Sequence, residues 1–209
     1  MTQVADGWKS ALSSRYRLDR LIGEGAAACV YAARDLKHDR DVAVKILRPA
    51  PVQELVSPRF RREIQIAAQL SHPHILPLFD SGEVEGIPYF VMPLIDGETL
   101  RDKLEREGAL PMDVALGITR QVASALEHAH THGVVHRDIK PENILLVGRE
   151  ALVADFGIAV AFDPRVSSER ITGAGVVVGT PRYMSPEQAA GERNVDARSD
   201  LYALGCVTY

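Results

Sequence analysis

The chain has 209 residues, of which 46% are hydrophobic, which is enough for one large or two small folded domains. Lys and Arg number 24 against 28 acidic residues, giving a net charge of −4 without a basic block, so nucleic acid is a poor partner. The two cysteines form no Cys-x-x-Cys pair, and there is neither an apolar signal run nor a stretch of about 20 apolar residues. We therefore expect a cytoplasmic chain, with any membrane anchor beyond Tyr209.

The first 95 residues are predicted to be mostly sheet with one helix. After a polar leader at 1–14, residues 16–35 and 41–47 alternate between apolar and polar side chains, which predicts a hairpin and a strand. Ser57 is a suitable N-cap and Pro58 suits a first helical position, so a helix is predicted to about residue 71. Two further strands are predicted, at 75–80 and 89–94.

Beyond residue 96 the periodicity becomes helical. A short helix is predicted at 100–107, ending at Gly108, and a long one at 112–132, ending at Gly133. Its apolar stripe consists of Val114, Ile118, Val122, Ala125 and Ala129. Short apolar runs at 134–135, 144–147 and 152–154 bracket two polar loops. The final stretch, 201–209, is apolar on all sides, and this pattern predicts a buried helix.

A glycine pair, Gly23 and Gly25, lies in the predicted first hairpin, with Ala28 where a Gly-x-Gly-x-x-Gly pattern has its third glycine. A dinucleotide-binding turn would open into a helix, whereas Val30 and its successors continue as a strand. Two interpretations remain open from these residues alone: a hairpin whose backbone N–H groups approach phosphate oxygens, and a plain hairpin turn.

Lys45 ends an alternating strand, and Glu63 lies on the apolar stripe of the predicted helix at 57–71. A carboxylate on a buried face is costly unless a cation meets it, so we expect Lys45 to pair with Glu63. Such a paired lysine near the glycine turn would brace the α- and β-phosphates of a nucleotide.

The second half contains four motifs in order: His-Arg-Asp-Ile-Lys-Pro-Glu-Asn at 136–143, Asp-Phe-Gly at 155–157, Gly-Thr-Pro-Arg-Tyr-Met-Ser-Pro-Glu at 179–187 and Ser-Asp-Leu-Tyr-Ala-Leu-Gly at 199–205. Together with the glycine turn and Lys45, the sequence resembles the catalytic domain of bacterial eukaryotic-type (Hanks-type) Ser/Thr protein kinases over residues 16–209.

The resemblance implies an α+β, two-lobed kinase fold. Residues 15–95 would form the ATP-binding, β-rich small lobe with one regulatory helix, and 96–209 a mainly helical, incomplete large lobe that ends in the buried helix after Asp200. The implied activity is transfer of the γ-phosphoryl group of Mg²⁺-bound ATP to Ser/Thr hydroxyls of proteins. In the family Glu187 pairs with an arginine much later in the chain, so we expect it to be unpaired here and the last helix to expose apolar surface.

The resemblance also assigns roles to residues. Asp138 is similar to the catalytic carboxylate, Lys140 to the lysine near the γ-phosphate, and Thr180 to the threonine that bonds this pair. Asn143 and Asp155 resemble the Mg²⁺ ligands, and Lys45 and Glu63 the phosphate brace. The implied nucleotide-binding residues are Ile22, Gly23, Gly25, Val30, Ala43, Lys45, Met92, Pro93, Ile95 and Leu145.

Arg137 is similar to the arginine that pairs with an activation-loop phosphate. The candidate phosphate carriers are Ser167, Ser168 and Thr172; we favour Thr172 and expect autophosphorylation there, with possible self-association in trans. One rival is a kinase-like binding or regulatory module without catalysis; the other is a Rossmann-type oxidoreductase. His128 and His132 are four apart on one helical face, but no third donor is evident, so we do not predict a metal there.

Overall fold

The structure, a computed structural model, describes residues 8, 10–25, 28–48, 58–156, 181–192 and 194–209; of residues 58–61, 63 and 181 it describes the backbone only. The chain divides into two compact units. The first unit comprises Met1–Pro58 and Pro77–Ile95, and the second comprises Arg59–Leu76 and Asp96–Tyr209. The α+β class expected from the sequence is confirmed, with a β-rich first unit and a mainly helical second one.

The first unit is built on a five-stranded antiparallel sheet in the order β1-β2-β3-β5-β4. Its strands are β1 (Tyr16–Glu24), β2 (Ala28–Asp35), β3 (Arg40–Leu47), β4 (Asp80–Val84) and β5 (Ile87–Pro93). Two register shifts interrupt the pairing of β1 with β2, before and after Leu21. Short connections join β1 to β2, β2 to β3 and β4 to β5, as antiparallel pairing allows, whereas β3 and β4 are separated by residues 48–79.

One face of this sheet forms the core of the first unit. Alternate residues of β3, Val42, Val44 and Ile46, are fully buried there. Trp8 and Leu12, from the segment predicted as a polar leader, join them at 5% and 4% exposure. The two are four residues apart, so on a helical turn they share one face, and that face packs onto the sheet.

The second unit contains five α-helices among its described residues: α1 (Pro58–Ala67), α2 (Leu100–Glu107), α3 (Met112–Thr131), α4 (Pro186–Ala189) and α5 (Ala197–Thr208). A small antiparallel sheet, in the order β6-β7-β8, accompanies them, with β6 (Glu98–Thr99), β7 (Ile144–Val147) and β8 (Glu150–Val153). Among the described helices, none has the length and apolarity that crossing a bilayer requires.

The core of the second unit centres on α3. Val122, Ala125, Leu126 and Ala129 are all fully buried along one stripe, as the 3.6-residue period predicted. Val114, at the start of the predicted stripe, is exposed instead. The stripe is therefore fully buried only in the C-terminal half of the helix, from Val122 onward, and Ile118 is partly buried.

Several predicted elements differ from the observed ones. The predicted strand at 75–80 is wrong: Ile75 makes only an isolated parallel bridge to Val153, and the strand begins at Asp80. The helix predicted to reach residue 71 ends at Ala67. In α5, Leu201 is 55% exposed, so the helix is not buried all round, and the expectation that this last helix exposes apolar surface is confirmed.

The two units separate between Ile95 and Asp96, and α1 belongs to the second unit although the sequence placed it in the small lobe. Its continuation explains the assignment, since Ala67, Leu70 and Ile75 all join the core around α3. The lobe bounds at 15–95 and 96–209 stay a prediction.

Candidate active site

A buried carboxylate anchors the loop that begins at His136. Asp200, in the first turn of α5, is 1% exposed and accepts hydrogen bonds from the backbone N–H groups of His136 and Arg137 at 2.8 and 2.7 Å. The ring of His130 supplies a third contact, with 2.7 Å between Nε2 and Oδ2. Three donors offset the cost of burying the carboxylate, and the two backbone contacts fix the start of the loop.

The His136 side chain connects its own loop to the segment after β8. Its Nδ1 accepts from the N–H of Asp138 at 3.2 Å, and its Nε2 lies 2.8 Å from the carbonyl oxygen of Ala154. Its ring also meets Phe156 edge-on, with centroids 4.7 Å apart. The ring therefore sets the backbone of the 136–143 loop against the chain segment that leads into Asp155.

Asp138, Lys140 and Asn143 lie together in this loop. Lys140 Nζ is 2.6 Å from Asp138 Oδ2, and Asn143 Nδ2 donates to the same oxygen at 3.0 Å and to the Asp138 carbonyl oxygen at 2.7 Å. Both side-chain donors reach Oδ2, and Oδ1 accepts from neither. A carboxylate held in this way keeps one oxygen oriented toward a further donor, such as a substrate hydroxyl.

Asp155 is the second residue after β8 and lies near the open end of the β7–β8 hairpin. The N–H of the preceding residue, Ala154, donates to the Asn143 carbonyl oxygen at 2.9 Å, so Asn143 and Asp155 border the same hairpin end. Asp155 has φ of 69° and Arg137 has φ of 67°. A left-handed backbone costs a non-glycine residue on the order of 1 kcal/mol, and strain of this kind concentrates at functional sites.

In the first unit, the register brings several predicted nucleotide-binding residues onto one face of the sheet. Val30 lies opposite both Gly23 and Lys45, and Ala43 lies opposite Met92. Directly opposed residues share a face, as do residues two apart along a strand, so these side chains stand together. They occupy the face opposite to the core formed by alternate residues of β3.

The remaining predicted residues are distributed as follows. Ile22 lies on β1 and is exposed, Pro93 ends β5, and Ile95 is the last residue of the first unit. Leu145 is in β7 of the second unit and half-buried. The Glu63 side chain, Thr180, and the candidate phosphate carriers Ser167, Ser168 and Thr172 lie outside the described residues, so the Lys45–Glu63 pair stays a prediction.

One arginine in the site was missed by the sequence reading. Arg101, in the first turn of α2, contacts Glu142 Oε1 through Nε at 3.1 Å and Tyr183 Oη through Nη2 at 2.9 Å. Partial burial opposes its charge, but the bonds to Glu142 and Tyr183 outweigh burial and raise the pKa of the guanidinium. No local spacing signals these contacts, because the partners are 41 and 82 residues away.

Glu187 corrects one expectation. The sequence predicted an unpaired carboxylate, whereas in the structure Ser199 donates its hydroxyl to Glu187 Oε1. That hydrogen bond is the main reason why the pKa of Glu187 lies below its ordinary value. Ser185 also donates to Ser199 at 3.0 Å, so these hydroxyls join α4 to α5.

Four histidine rings of the second unit form a stack. His72 stacks on His128 with centroids 5.2 Å apart, His74 lies 5.6 Å from His72, and His132 lies 4.5 Å from His128. Burial and, next, the neighbouring His128 and His74 lower the pKa of His72. Among the described residues, no group of three or more His, Cys, Asp or Glu side chains has the arrangement that a metal ion needs.

Comparisons of the sequence with known proteins give consistent matches. The family model described as the protein kinase domain matches residues 16–209. The chain is 45% identical over 204 residues to serine/threonine-protein kinase PknB of Mycobacterium leprae, covering 95% of this chain and 32% of that protein. It is 46% identical over 204 residues to PknB of Mycolicibacterium smegmatis, with the same coverage.

A probable serine/threonine-protein kinase of Streptomyces coelicolor is 45% identical over 204 residues, covering 95% of this chain and 30% of that protein. The chain thus spans about a third of the length of the curated relatives it matches.

Proposed function

The chain belongs to the protein kinase domain family, and from that premise we propose that it transfers the γ-phosphoryl group of Mg²⁺-bound ATP to serine and threonine hydroxyls of proteins. One observation carries the proposal: Asp138 is held by Lys140 and Asn143 through a single carboxylate oxygen. Phosphoryl transfer depends mainly on positioning and charge neutralisation, and this loop supplies a positioned acceptor beside a positive charge.

Asp138 is proposed to orient the substrate hydroxyl and to accept its proton. Lys140 Nζ, 2.6 Å from the carboxylate, would sit where negative charge of the transferred group develops. A lysine at this position marks Ser/Thr kinases, as opposed to Tyr kinases, in the family. Lys140 therefore also supports serine and threonine, and not tyrosine, as the hydroxyls that accept the phosphoryl group. Thr180 is proposed to form hydrogen bonds with Asp138 and Lys140.

Asn143 and Asp155 are the proposed Mg²⁺ ligands, and the residues present fit such an ion. Asn143 uses its Nδ2 on the Asp138 carbonyl and carboxylate, which turns its Oδ1 away from both acceptors. The Ala154-to-Asn143 backbone bond keeps a second oxygen donor, the Asp155 carboxylate, at the same hairpin end. Mg²⁺ prefers hard oxygen ligands of this kind, and when bound it supplies neutralisation of phosphate charge.

The first unit is proposed to bind the nucleotide. Neither Gly23 nor Gly25 lies at a positive φ, and a Cβ added at either would make only ordinary contacts of 3.6 Å or more with this unit. The described part of the fold therefore gives no steric reason for glycine, and the close approach of a phosphate to the backbone does. Lys45 would contact the α- and β-phosphates and pair with Glu63.

Apolar side chains on the same sheet face would contact adenine. Val30, Ala43 and Met92 share that face by register. Ile22, Pro93, Ile95 and Leu145 complete the proposed set of adenine contacts. Proline at the hinge is compatible with this role, because only the carbonyl is needed at Pro93 and the N–H comes from Ile95.

The experiment is transfer of labelled γ-phosphate from Mg-ATP to a generic basic protein by the wild type, Asp138→Asn and the control Asp113→Asn. Asp113 is an exposed carboxylate in the first turn of α3, so it matches the charge change without touching the loop. We expect a loss on the order of 100-fold or more for Asp138→Asn alone.

Equal transfer by the wild type and Asp138→Asn would overturn the assignment. No transfer by the wild type, together with retained ATP binding, would select the rival class, a kinase-like binding module. We further propose autophosphorylation of Thr172, in trans between two copies; mass spectrometry that finds phosphate on Ser167 or Ser168 and never on Thr172 would refute that site.

A further inference from the structure

Arg101 joins three segments of the second unit that lie far apart in the chain. Its Nε contacts Glu142 at 3.1 Å and its Nη2 contacts Tyr183 at 2.9 Å. The first contact reaches the turn between Asp138 and the β7–β8 hairpin, and the second reaches the short 3₁₀ turn Pro181–Tyr183. A single planar guanidinium therefore binds two partners in two directions, which a lysine ammonium on a flexible stem does not reproduce.

The backbone around Arg101 is held in place by the residues that flank it in the chain. The neighbouring residues Thr99 and Asp102 form a capping box, in which the Asp102 N–H donates to Thr99 Oγ1 at 3.1 Å and the Thr99 N–H donates to Asp102 Oδ2 at 3.0 Å. Leu100 is buried in the core of the second unit. The first turn of α2 therefore fixes the position from which the Arg101 side chain extends.

The Glu142 contact acts on the proposed catalytic residues through one turn. Glu142 is the middle residue of the 3₁₀ turn Pro141–Asn143, whose outer members are buried. Asn143 at its end donates to both the carbonyl and the carboxylate of Asp138. A shift of Glu142 would therefore displace Asn143 relative to Asp138.

The Tyr183 contact acts on the chain segment that follows the Thr180 position. The Tyr183 ring packs against the core of the second unit, and its hydroxyl reaches Arg101. The Arg101 and Glu142 side chains are 27% and 39% exposed, so their ion pair contributes little to global stability. We therefore interpret the two Arg101 contacts as fixing the position of the Pro141–Asn143 turn relative to the Pro181–Tyr183 turn.

We propose that Arg101 is a positioning residue that holds the Pro141–Asn143 turn and the Pro181–Tyr183 turn in register for phosphoryl transfer. This inference rests on the proposed function. The Glu142 contact sets the position of Asn143, and the Tyr183 contact ties the segment after Thr180 to the same guanidinium.

The first test is amide hydrogen exchange of the 209-residue chain, comparing the wild type with Arg101→Ala and the control Arg106→Ala. Arg106 lies on the same helix and pairs with Glu98 and Glu107, so its loss also removes ion pairs from α2. We expect faster exchange at 142–144 and 182–185 in Arg101→Ala and no change there in Arg106→Ala. Unchanged exchange in Arg101→Ala overturns the proposal.

The second test is steady-state kinetics of transfer. We expect kcat of Arg101→Ala to fall by about fivefold or more, with KM for ATP within about twofold of the wild type, because misplacement affects the chemical step. Arg101→Lys should recover less than half of the loss. Arg101→Ala and Tyr183→Phe should be non-additive in kcat, since they share one contact.

Wild-type kcat in Arg101→Ala, or equal losses in Arg101→Ala and Arg106→Ala, would reduce Arg101 to a structural residue and overturn the proposal. If the wild type transfers no phosphate, the proposed function fails, and the exchange comparison alone then decides whether Arg101 holds the two turns.

Discussion

His136 Nε2 lies 2.8 Å from the carbonyl oxygen of Ala154, and the ring that makes this contact is fully buried. Its other nitrogen, Nδ1, accepts the N–H of Asp138. The tautomer with its proton on Nε2 satisfies both contacts. One imidazole therefore connects the backbone at Asp138 to the carbonyl of Ala154, the residue before Asp155. The Asp200 carboxylate in turn holds the backbone N–H of this histidine.

Asp200→Asn should destabilise the chain by about 3 kcal/mol, because an amide cannot accept all the bonds now made by the buried carboxylate. The lost contacts would be among those from the His136 and Arg137 N–H groups and the His130 ring. Urea unfolding at pH 7.5 measures the change. Asp113→Asn, an exposed match, should unfold like the wild type, and equal midpoints for all three proteins would contradict this account.

Asn143→Ala should raise the Mg²⁺ concentration needed for half-maximal transfer by about 10-fold or more, because it removes a proposed oxygen ligand. Asn143→Asp restores an oxygen but loses the Nδ2 bonds to Asp138. It should therefore recover the Mg²⁺ requirement while kcat stays low. An unchanged Mg²⁺ dependence in Asn143→Ala would exclude Asn143 as a ligand.

Gly97→Ala should destabilise the second unit by about 1–3 kcal/mol, because the added Cβ would collide with the backbone carbonyl oxygen of Leu146. Gly117, inside α3, has nothing within 4 Å of an added Cβ. Gly117→Ala is therefore a matched control, expected to stabilise by up to about 1 kcal/mol through helix propensity. Thermal or urea unfolding compares the two, and a loss no greater at Gly97 than at Gly117 would contradict the close approach.

The His72 environment should make the chain less stable below neutral pH. Burial and the charges of His128 and His74 hold the pKa of His72 below its ordinary value near 6.5, so the unfolded chain binds the proton more readily. Stability is therefore fully present above that ordinary value and decreases as the pH falls below it. At the outer end of the stack, His74 Nδ1 lies 3.6 Å from the Glu150 carboxylate.

Urea midpoints at pH 7.5 and 5.5 measure this dependence, and His72→Asn should show a smaller drop than the wild type. Asp35 does not interfere in that window. Burial opposes its charge, but hydrogen bonds from the His38 ring and from the His38 and Lys37 N–H groups hold the pKa of Asp35 at about 2. Its contribution is present above about pH 4 and is lost only toward pH 2. An identical pH response in His72→Asn would rule out the histidine explanation.

The sequence predicted local structure best for helices whose ends are marked by characteristic residues, such as a glycine after the last turn. The predicted helix at 100–107 has those bounds in the structure, and the predicted 112–132 helix is Met112–Thr131. Gly108 and Gly133 end them at positive φ, a conformation that glycine adopts at little cost. The strand predicted at 75–80 failed because an apolar run alone does not distinguish a strand from a buried loop.

The sequence by itself determined the family, the order of the motifs and the chemical types of the proposed catalytic residues, because those properties depend on residue identity and spacing along the chain. The tertiary structure alone decided which distant groups meet: Arg101 with Glu142 and Tyr183, and His72 with His128. Such contacts depend on how helices and loops pack, and packing is set by the whole core. No local pattern encodes that information.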